Sequence, residues 1–323
     1  MEDYRARPLN AIPARHDDRD YRPSLFVGVT ASNDEDIVID HLPEIYDQGQ
    51  LNMCVGFSGA GNRESQQWRE TGVHKRMSPG FIYGNREPST EYCGEGMDVR
   101  EALARLCKDG TCAWDDLPVL GDYSTCHAAL KANEARLRSL AGVNRALSYV
   151  RGYTEDEVYA MLKHYMGPVM ITVGVYDNFY RTPMTGVVPD RTGTDQLRGY
   201  HEMSLVGRRR MDRRRWVIHN SWGKSWGDQG RCYMPVDPAD ILEYWGITDY
   251  DPRNEREIIM DCPASIQPPG RVVIPLRFAA EALGGSAEWD AATRKATIKV
   301  PASQQATTID LIVGSNIMKV TRV

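Results

Sequence analysis

Two short runs of strand-forming residues, HEMSLVG (201–207) and RRWVIHN (214–220), flank an arginine-rich stretch centred on Arg210–Met211. Their simplest arrangement is an antiparallel hairpin with its bend near that pair. The hairpin sets His201, at the start of one strand, beside Asn220, at the end of the next. An asparagine carbonyl can accept from the imidazole, fix its tautomer and aim its other nitrogen. Trp222, two residues further on, is placed to cover that bond and keep water from it. His219 neighbours Asn220 on the same strand, so its side chain belongs on the opposite face and reads as structural.

A second feature matches this pair. In YDQGQLNMCVGFSGAGNRE a cysteine stands where a Gly/Gln-rich loop gives way to a helix, read over 54–68. Backbone N–H groups and the helix dipole at that end favour a thiolate. Acyl transfer by a thiolate also needs a proton donor and donors for an oxyanion. His201 can be the first. Gln48, six residues before Cys54, is a candidate for the second together with the Cys54 N–H, and Gln50 is its rival.

Around these residues the chain reads as α+β. Residues 98–110 suggest a helix with Val99, Leu103 and Leu106 at near-helical spacing and a stop at Gly110. GPVMITVGVY (167–176) is a strand. The 323 residues suggest about two domains. We divide them into an extended, Pro-punctuated lead (1–43), a globular domain (44–262) and a small C-terminal domain (263–323), with ASIQPPGRV (264–272) as linker. The lead lacks a core of its own. The C-terminal piece reads as VVIP, a short helical LRFAAEAL, strands SAEW, KATIKV and TIDLIV, and a final hairpin to IMKV through Gly314–Asn316.

A net charge of −5 argues against nucleic acid as the partner, and RRRMDRRR (208–215) reads as a solvated turn. No run reaches the roughly 20 apolar residues of a membrane helix. The charged start lacks the apolar middle of a signal peptide, which favours the cytoplasm. Seven cysteines leave one unpaired; the six besides Cys54 can form three disulfides or none, Cys107 and Cys112 being one candidate pair.

DQGQLNMC, CGEGMDVREAL, GYHEM and HNSWGKSWGDQG resemble the papain family of cysteine peptidases, particularly its compact bacterial branch, over residues 42–250. LPEIYDQGQL and MSPGFIYGN are similar to the bacterial members too. The resemblance implies a two-lobed fold, a helical half and a β-barrel-like half with a cleft between them. It implies Cys54 as nucleophile, His201 as general acid/base, Asn220 as orienter and Gln48 as oxyanion donor. The reaction would be hydrolysis of peptide bonds through a thioester, with no cofactor and no metal. The partner would be an extended polypeptide bound near Gly96, with Met97, Asp98 and Trp222 lining its path; Asp98 also reads as a helix cap.

The chain departs from the family pattern at the cleft. Asn52–Met53 replaces Gly-Ser before the cysteine, and Tyr200–His201–Glu202 replaces Gly-His-Ala, both bearing on substrate preference. Leu51 replaces a cysteine, so a frequent family disulfide to Cys93 cannot form. No large helical prodomain precedes Cys54, and the lead reads as a short inhibitory strap across the cleft, making the chain a zymogen; the alternative is structural wrapping. The C-terminal domain (263–323), through VVIPLRFAAEALGGSAEWDAATRKATIKV and TIDLIVGSNIMKV, resembles the copper-amine-oxidase N-terminal-like domain of bacterial surface proteins. No histidine follows His219, so a surface or protein attachment module is expected rather than a copper site, and that family favours a location outside the cell. Two other functions compete: a cell-wall peptide amidase or transpeptidase, and a catalytically silent peptide-binding module.

Overall fold

The computed structural model describes residues 3–27, 29, 35–87, 94–164, 167–182, 184–236 and 240–249, and the backbone of seven strands between 256 and 322. The chain forms two compact units. One comprises Met1–Tyr21 and Ser32–Asp249, the other Arg22–Ala31 and Tyr250–Val323.

The first unit is built around α1 (Cys54–Thr71), in which every residue from Cys54 to Gln67 is buried. Small residues make that possible: a Cβ added to Gly56 would lie 3.1 Å from the Pro79 carbonyl oxygen. Its two buried charged side chains, Arg63 and Glu64, are paired within the protein. Arg63 donates to the Asn144 carbonyl at 3.0 Å and to both Glu70 oxygens, and Glu64 accepts from the Tyr46 hydroxyl and meets His74 at 2.7 Å. The helix ends at Gly72, whose left-handed φ of 70° a side chain would resist. Further helices are α2 (Pro79–Gly84), α3 (Val99–Lys108), α4 (Tyr123–Ala132), α5 (Glu134–Gly142) and α6 (Glu155–Lys163). Val99, Leu103 and Leu106 of α3 are buried, as their spacing requires.

Strands β1 (Ala11–Ile12) and β3 (Met97–Asp98) pair in parallel. The main sheet is antiparallel: β4 (Ser148–Gly152), β5 (Val169–Tyr176), β6 (Leu197–Arg210), β7 (Arg214–His219), β8 (Arg231–Pro235) and β9 (Ile241–Thr248) run in the order β4-β9-β5-β6-β7-β8. β2 (Ile37–Val38) adds to β6. The β half is therefore an open sheet and not a closed barrel. Chain segments cover its end strands instead of the ends meeting each other. Arg151 of β4 donates its N–H to Tyr21 at 2.8 Å, and Tyr233 of β8 donates to Gly186 at 2.8 Å.

The β6–β7 hairpin forms with its turn over 211–213, slightly beyond the expected Arg210–Met211 bend. A bulge between Leu205 and Gly207 shifts the register there. Its arginines are largely paired, Arg215 with Asp212 at 2.7 and 2.8 Å and Arg208 and Arg214 with Glu155 at 2.9 and 3.1 Å.

In the second unit β10 (Arg256–Ile259), β13 (Ser286–Asp290), β14 (Lys295–Ala302), β15 (Gln305–Ile312) and β16 (Ile317–Arg322) form one sheet in the order β10-β16-β15-β14-β13. The β15–β16 hairpin runs antiparallel. The stretch read as a linker instead holds two short paired antiparallel strands, β11 (Ser265–Gln267) and β12 (Arg271–Val273). Pairing of β10 with β16 puts residues before Cys262 in this unit's sheet. The expected helix LRFAAEAL lies outside the described residues. Cys54, Cys107, Cys112, Cys126 and Cys232 are free thiols, so Cys107 and Cys112 are unbridged; Cys93 and Cys262 lie outside the described residues.

Candidate active site

Cys54 is the first residue of α1, following Met53, and is fully buried. The backbone N–H groups of Glu202, Val55 and Asn10 point to its sulfur and favour the thiolate, yet burial outweighs them and pushes the thiol up to about 12. Glu202 directly follows His201, so α1 meets β6 at the histidine.

The His201 Nε2 to Asn220 Oδ1 distance is 2.8 Å, and both residues are buried. Asn220 Oδ1 also accepts the Ser221 N–H at 2.8 Å, which holds the amide oxygen toward the ring. Burial pushes His201 down to about 4. The Trp222 ring lies 5.1 Å from the imidazole, within a cluster that includes Phe179, Tyr180 and Trp226. His219 faces elsewhere: its Nε2 accepts from Arg231 Nε at 3.1 Å.

Gln48 is buried whereas Gln50 is exposed. Its Oε1 accepts from Ser221 Oγ at 2.6 Å, its Nε2 donates to the Leu51 carbonyl at 2.9 Å, and its own N–H donates to the Ser221 carbonyl at 2.8 Å. One Nε2 proton is thus committed to the loop before Cys54, and the amide has a second. Gly223 stands beside this contact with φ 77°, where a Cβ would lie 2.8 Å from Asp47 Oδ2.

Gly96, with φ 106°, donates its N–H to the Tyr83 hydroxyl at 2.7 Å, so that group is committed inside the fold. The adjoining edge is offered by Met97, whose N–H donates to the Asn10 carbonyl at 3.3 Å. Met97 is buried, and Asp98 caps α3 by accepting the Glu101 N–H at 2.9 Å.

Asn10 belongs to the lead, and residues 4–20 contact the surroundings of the site at several points. Tyr4 stacks on Trp222 and reaches Ser225 Oγ at 2.9 Å. Arg7 donates to Asp47 Oδ1 at 2.5 Å and to the Gly49 carbonyl at 3.0 Å. Asn10 donates through Nδ2 to Asn52 Oδ1 at 2.6 Å and bridges to Tyr200. Ala14 donates its N–H to Glu243, and Asp20 pairs with Arg100. Glu243 escaped the sequence reading, although a signal existed. Ile241, Glu243, Trp245 and Ile247 alternate onto one buried face, which marks the glutamate as a charge placed inside.

A buried helix carrying a thiol at its start, set against an antiparallel sheet carrying a histidine–asparagine pair, defines an α+β fold with a two-element thiol site. The chain belongs to the papain family of cysteine proteases, whose family model matches residues 33–241. Residues 253–322 match the copper amine oxidase N-terminal domain. That segment has no histidine to offer a copper ion, and its donor set does not fit an imidazole site. Cathepsin K of Gallus gallus is 26% identical over 194 residues, covering 59% of this chain and 54% of its own, so the chain spans about half the length of that relative. Among solved structures, xylellain, a cysteine protease from Xylella fastidiosa, aligns with a TM-score of 0.64 at 21% identity, over 75% of this chain and 96% of its own. The proform of the ragweed cysteine protease Amb a 11 aligns with a TM-score of 0.56 at 18% identity, over 71% and 70%. Among the described residues no helix is long and apolar enough to cross a membrane.

Proposed function

We propose that the chain is a cysteine endopeptidase held inactive by its own N-terminal lead. The Cys54 thiolate attacks the scissile carbonyl carbon, and the oxyanion takes hydrogen bonds from the Cys54 N–H and the second Nε2 proton of Gln48. His201 gives its proton to the leaving amine as the C–N bond breaks, leaving a thioester. Water then attacks the thioester, His201 takes its proton, and Cys54 leaves as thiolate. Asn220 keeps Nε2 engaged, so that Nδ1, which has no hydrogen-bond partner among the described residues, carries the exchanging proton. The single observation that carries this reading is the 2.8 Å His201–Asn220 bond on the strand that meets the first turn of α1.

The lead restrains this chemistry in two ways. Asn10, Ala11 and Ile12 occupy the Met97–Asp98 edge where an extended substrate would lie. Burial under the lead also keeps the thiol and imidazole neutral at pH 7, so the ion pair forms only when water returns. A tethered segment needs little intrinsic affinity, because its effective concentration is on the order of millimolar. The C-terminal domain serves as an attachment module and takes no part in bond cleavage.

An active-site-directed epoxide, with labelled peptides mapped by mass spectrometry, tests the reading. Labelling at Cys54, faster after the lead is cut, supports it. Absence of labelling with the lead removed from a folded chain overturns it in favour of a silent binding module. Parallel assays on casein and on purified peptidoglycan separate it from a cell-wall amidase.

A further inference from the structure

Three successive residues lead into the Met97–Asp98 edge, and each is held by a group from α2, from α4 or from the chain just after α2. Gly94 gives its carbonyl to Arg86 Nη2 at 2.6 Å. Glu95 accepts the Tyr83 hydroxyl at 2.6 Å and the Tyr123 N–H at 3.3 Å. Gly96 donates its N–H to that same hydroxyl at 2.7 Å. The hydroxyl gives its one proton to the carboxylate and accepts from the backbone, so a single oxygen joins Glu95 to Gly96. Burial and the adjoining carboxylate push the Tyr83 phenol up, which keeps that proton in place.

The groups that do the holding are themselves fixed. Tyr83, in α2, is wholly buried, and Arg86, two residues past that helix, is 4% exposed. The Arg86 guanidinium carbon lies 4.3 Å from the Tyr123 ring centre and 5.3 Å from that of Tyr83. Behind them α2 meets α4 closely: a Cβ on Gly84 would fall 2.6 Å from the Cys126 carbonyl oxygen, and His127 Nδ1 lies 2.9 Å from the Gly84 oxygen. Tyr123 is the first residue of α4, so its N–H has no partner inside the helix and a carboxylate is favoured there. Beyond the edge, Asp98 is tied down as the cap of α3. The core takes only Met97 and Val99 from this stretch, whereas the polar network acts on the three residues before them. Two glycines in three residues carry the largest backbone entropy a chain offers, and the network removes it before any ligand arrives.

We infer that Tyr83 and Glu95 are positioning residues of the peptidase, holding the Met97–Asp98 edge in the form that receives an extended substrate backbone. The inference rests on the peptidase reading and adds how its binding edge is kept in place. Strand addition draws its affinity from main-chain hydrogen bonds, so it is sensitive to any displacement of the receiving edge. The Met97 N–H already meets a chain there, donating to the Asn10 carbonyl of the lead. The Gly96 N–H stays with Tyr83 at the same time, so the network and an occupied edge coexist.

The test uses the full chain and two reagents for Cys54. Iodoacetamide needs only that the lead stand aside, whereas a peptidyl epoxide must also lie along the edge. The lead gates both, so the ratio of epoxide to iodoacetamide labelling rates reports the edge itself. Tyr83→Phe and Glu95→Ala should each lower that ratio about tenfold, the scale of a lost hydrogen bond whose partner stays unpaired. Glu95→Gln keeps an acceptor for both donors and should hold the ratio within about twofold of the unmodified chain. Tyr83→Phe keeps the buried ring, so it decides the matter should Glu95→Ala fail to fold. A purely structural role would lower the melting temperature or slow both reagents and leave the ratio as it was. An unchanged ratio in either variant therefore overturns the inference alone, as does a Glu95→Gln ratio as low as that of Glu95→Ala. If iodoacetamide modifies Cys54 but the epoxide labels no form of the chain, the peptidase reading fails and the inference with it.

Discussion

Tyr4 lies flat against Trp222, their ring centroids 5.9 Å apart and their planes 9° from parallel. Trp222 in turn covers the His201 ring, so the outermost layer over the site is a residue of the lead. The stack and the Arg7–Asp47 pair act together at that end of the lead.

Tyr4→Ala should loosen the lead without touching the chemistry. Aromatic pairs contribute about 0.5–1.5 kcal/mol beyond area, so the exposed fraction of Cys54 should rise roughly 2- to 10-fold. Mass-mapped iodoacetamide labelling of Cys54 measures this, and Arg7→Ala should act in the same direction. A rate identical to the unmodified chain in both variants would mean that the lead does not gate the thiol.

Cys54→Ala should abolish turnover while the chain stays folded, because the sulfur is lost from the end of α1 and not from between its packed turns. His201→Ala should be comparably damaging. Asn220→Ala should be milder, since the amide orients the ring and takes no proton. Retention of a tenth of turnover by Cys54→Ala would place the nucleophile elsewhere.

Gln48→Ala should lower kcat by about 10²–10³ with a small change in KM, the signature of a lost oxyanion donor. Ser221→Ala, which only releases the amide oxygen of Gln48, should cost less. Gln50→Ala should leave both constants unchanged, because Gln50 is exposed. A drop in kcat for Gln50→Ala equal to that for Gln48→Ala would contradict the assignment.

Glu202 holds its proton in the folded chain well above the usual carboxylate value of 4.5, because it is buried and faces Glu243. Below that value folded and unfolded chains both carry the proton, and stability is unaffected. As the pH rises past it, the unfolded chain releases the proton while the folded chain keeps it, and stability falls. Glu202→Gln removes this titration and keeps a partner for the Thr172 hydroxyl, which lies 2.7 Å from Glu202 Oε2. Its melting temperature should exceed that of the unmodified chain by a few degrees at pH 8, with the gap closing toward pH 4. A gap of constant size across that range would show that Glu202 is not the titrating group.

Much of the site was legible in the sequence because its signals are local. A cysteine after a Gly/Gln loop and before a helical pattern, a histidine and an asparagine at the ends of one hairpin, and a tryptophan two residues on all lie within short windows. Turn chemistry and side-chain periodicity act over those windows. Even there the bulge after Leu205 escaped, since an extra residue in one strand leaves no mark in an alternating pattern. Asp98 read equally well as a pocket residue and as a cap; it makes the cap bond and also lies on the edge that pairs with Ala11–Ile12.

The lead and the buried carboxyls depended on tertiary structure. Residues 1–43 read as extended and polar, but composition carries no information on which edge an extended segment joins. Only the fold brings Asn10 to Met97 and the Ala14 N–H to Glu243. Glu202, Thr172 and Glu243 come from three strands, and their alignment is a matter of register among β6, β5 and β9. The amino-acid sequence by itself determined the residue types and the local geometry that set a thiol at a helix start and a histidine beside an asparagine at the ends of one hairpin. The tertiary structure decided what covers them and which carboxyls stand beside them, because those contacts are set by non-local strand pairing and burial.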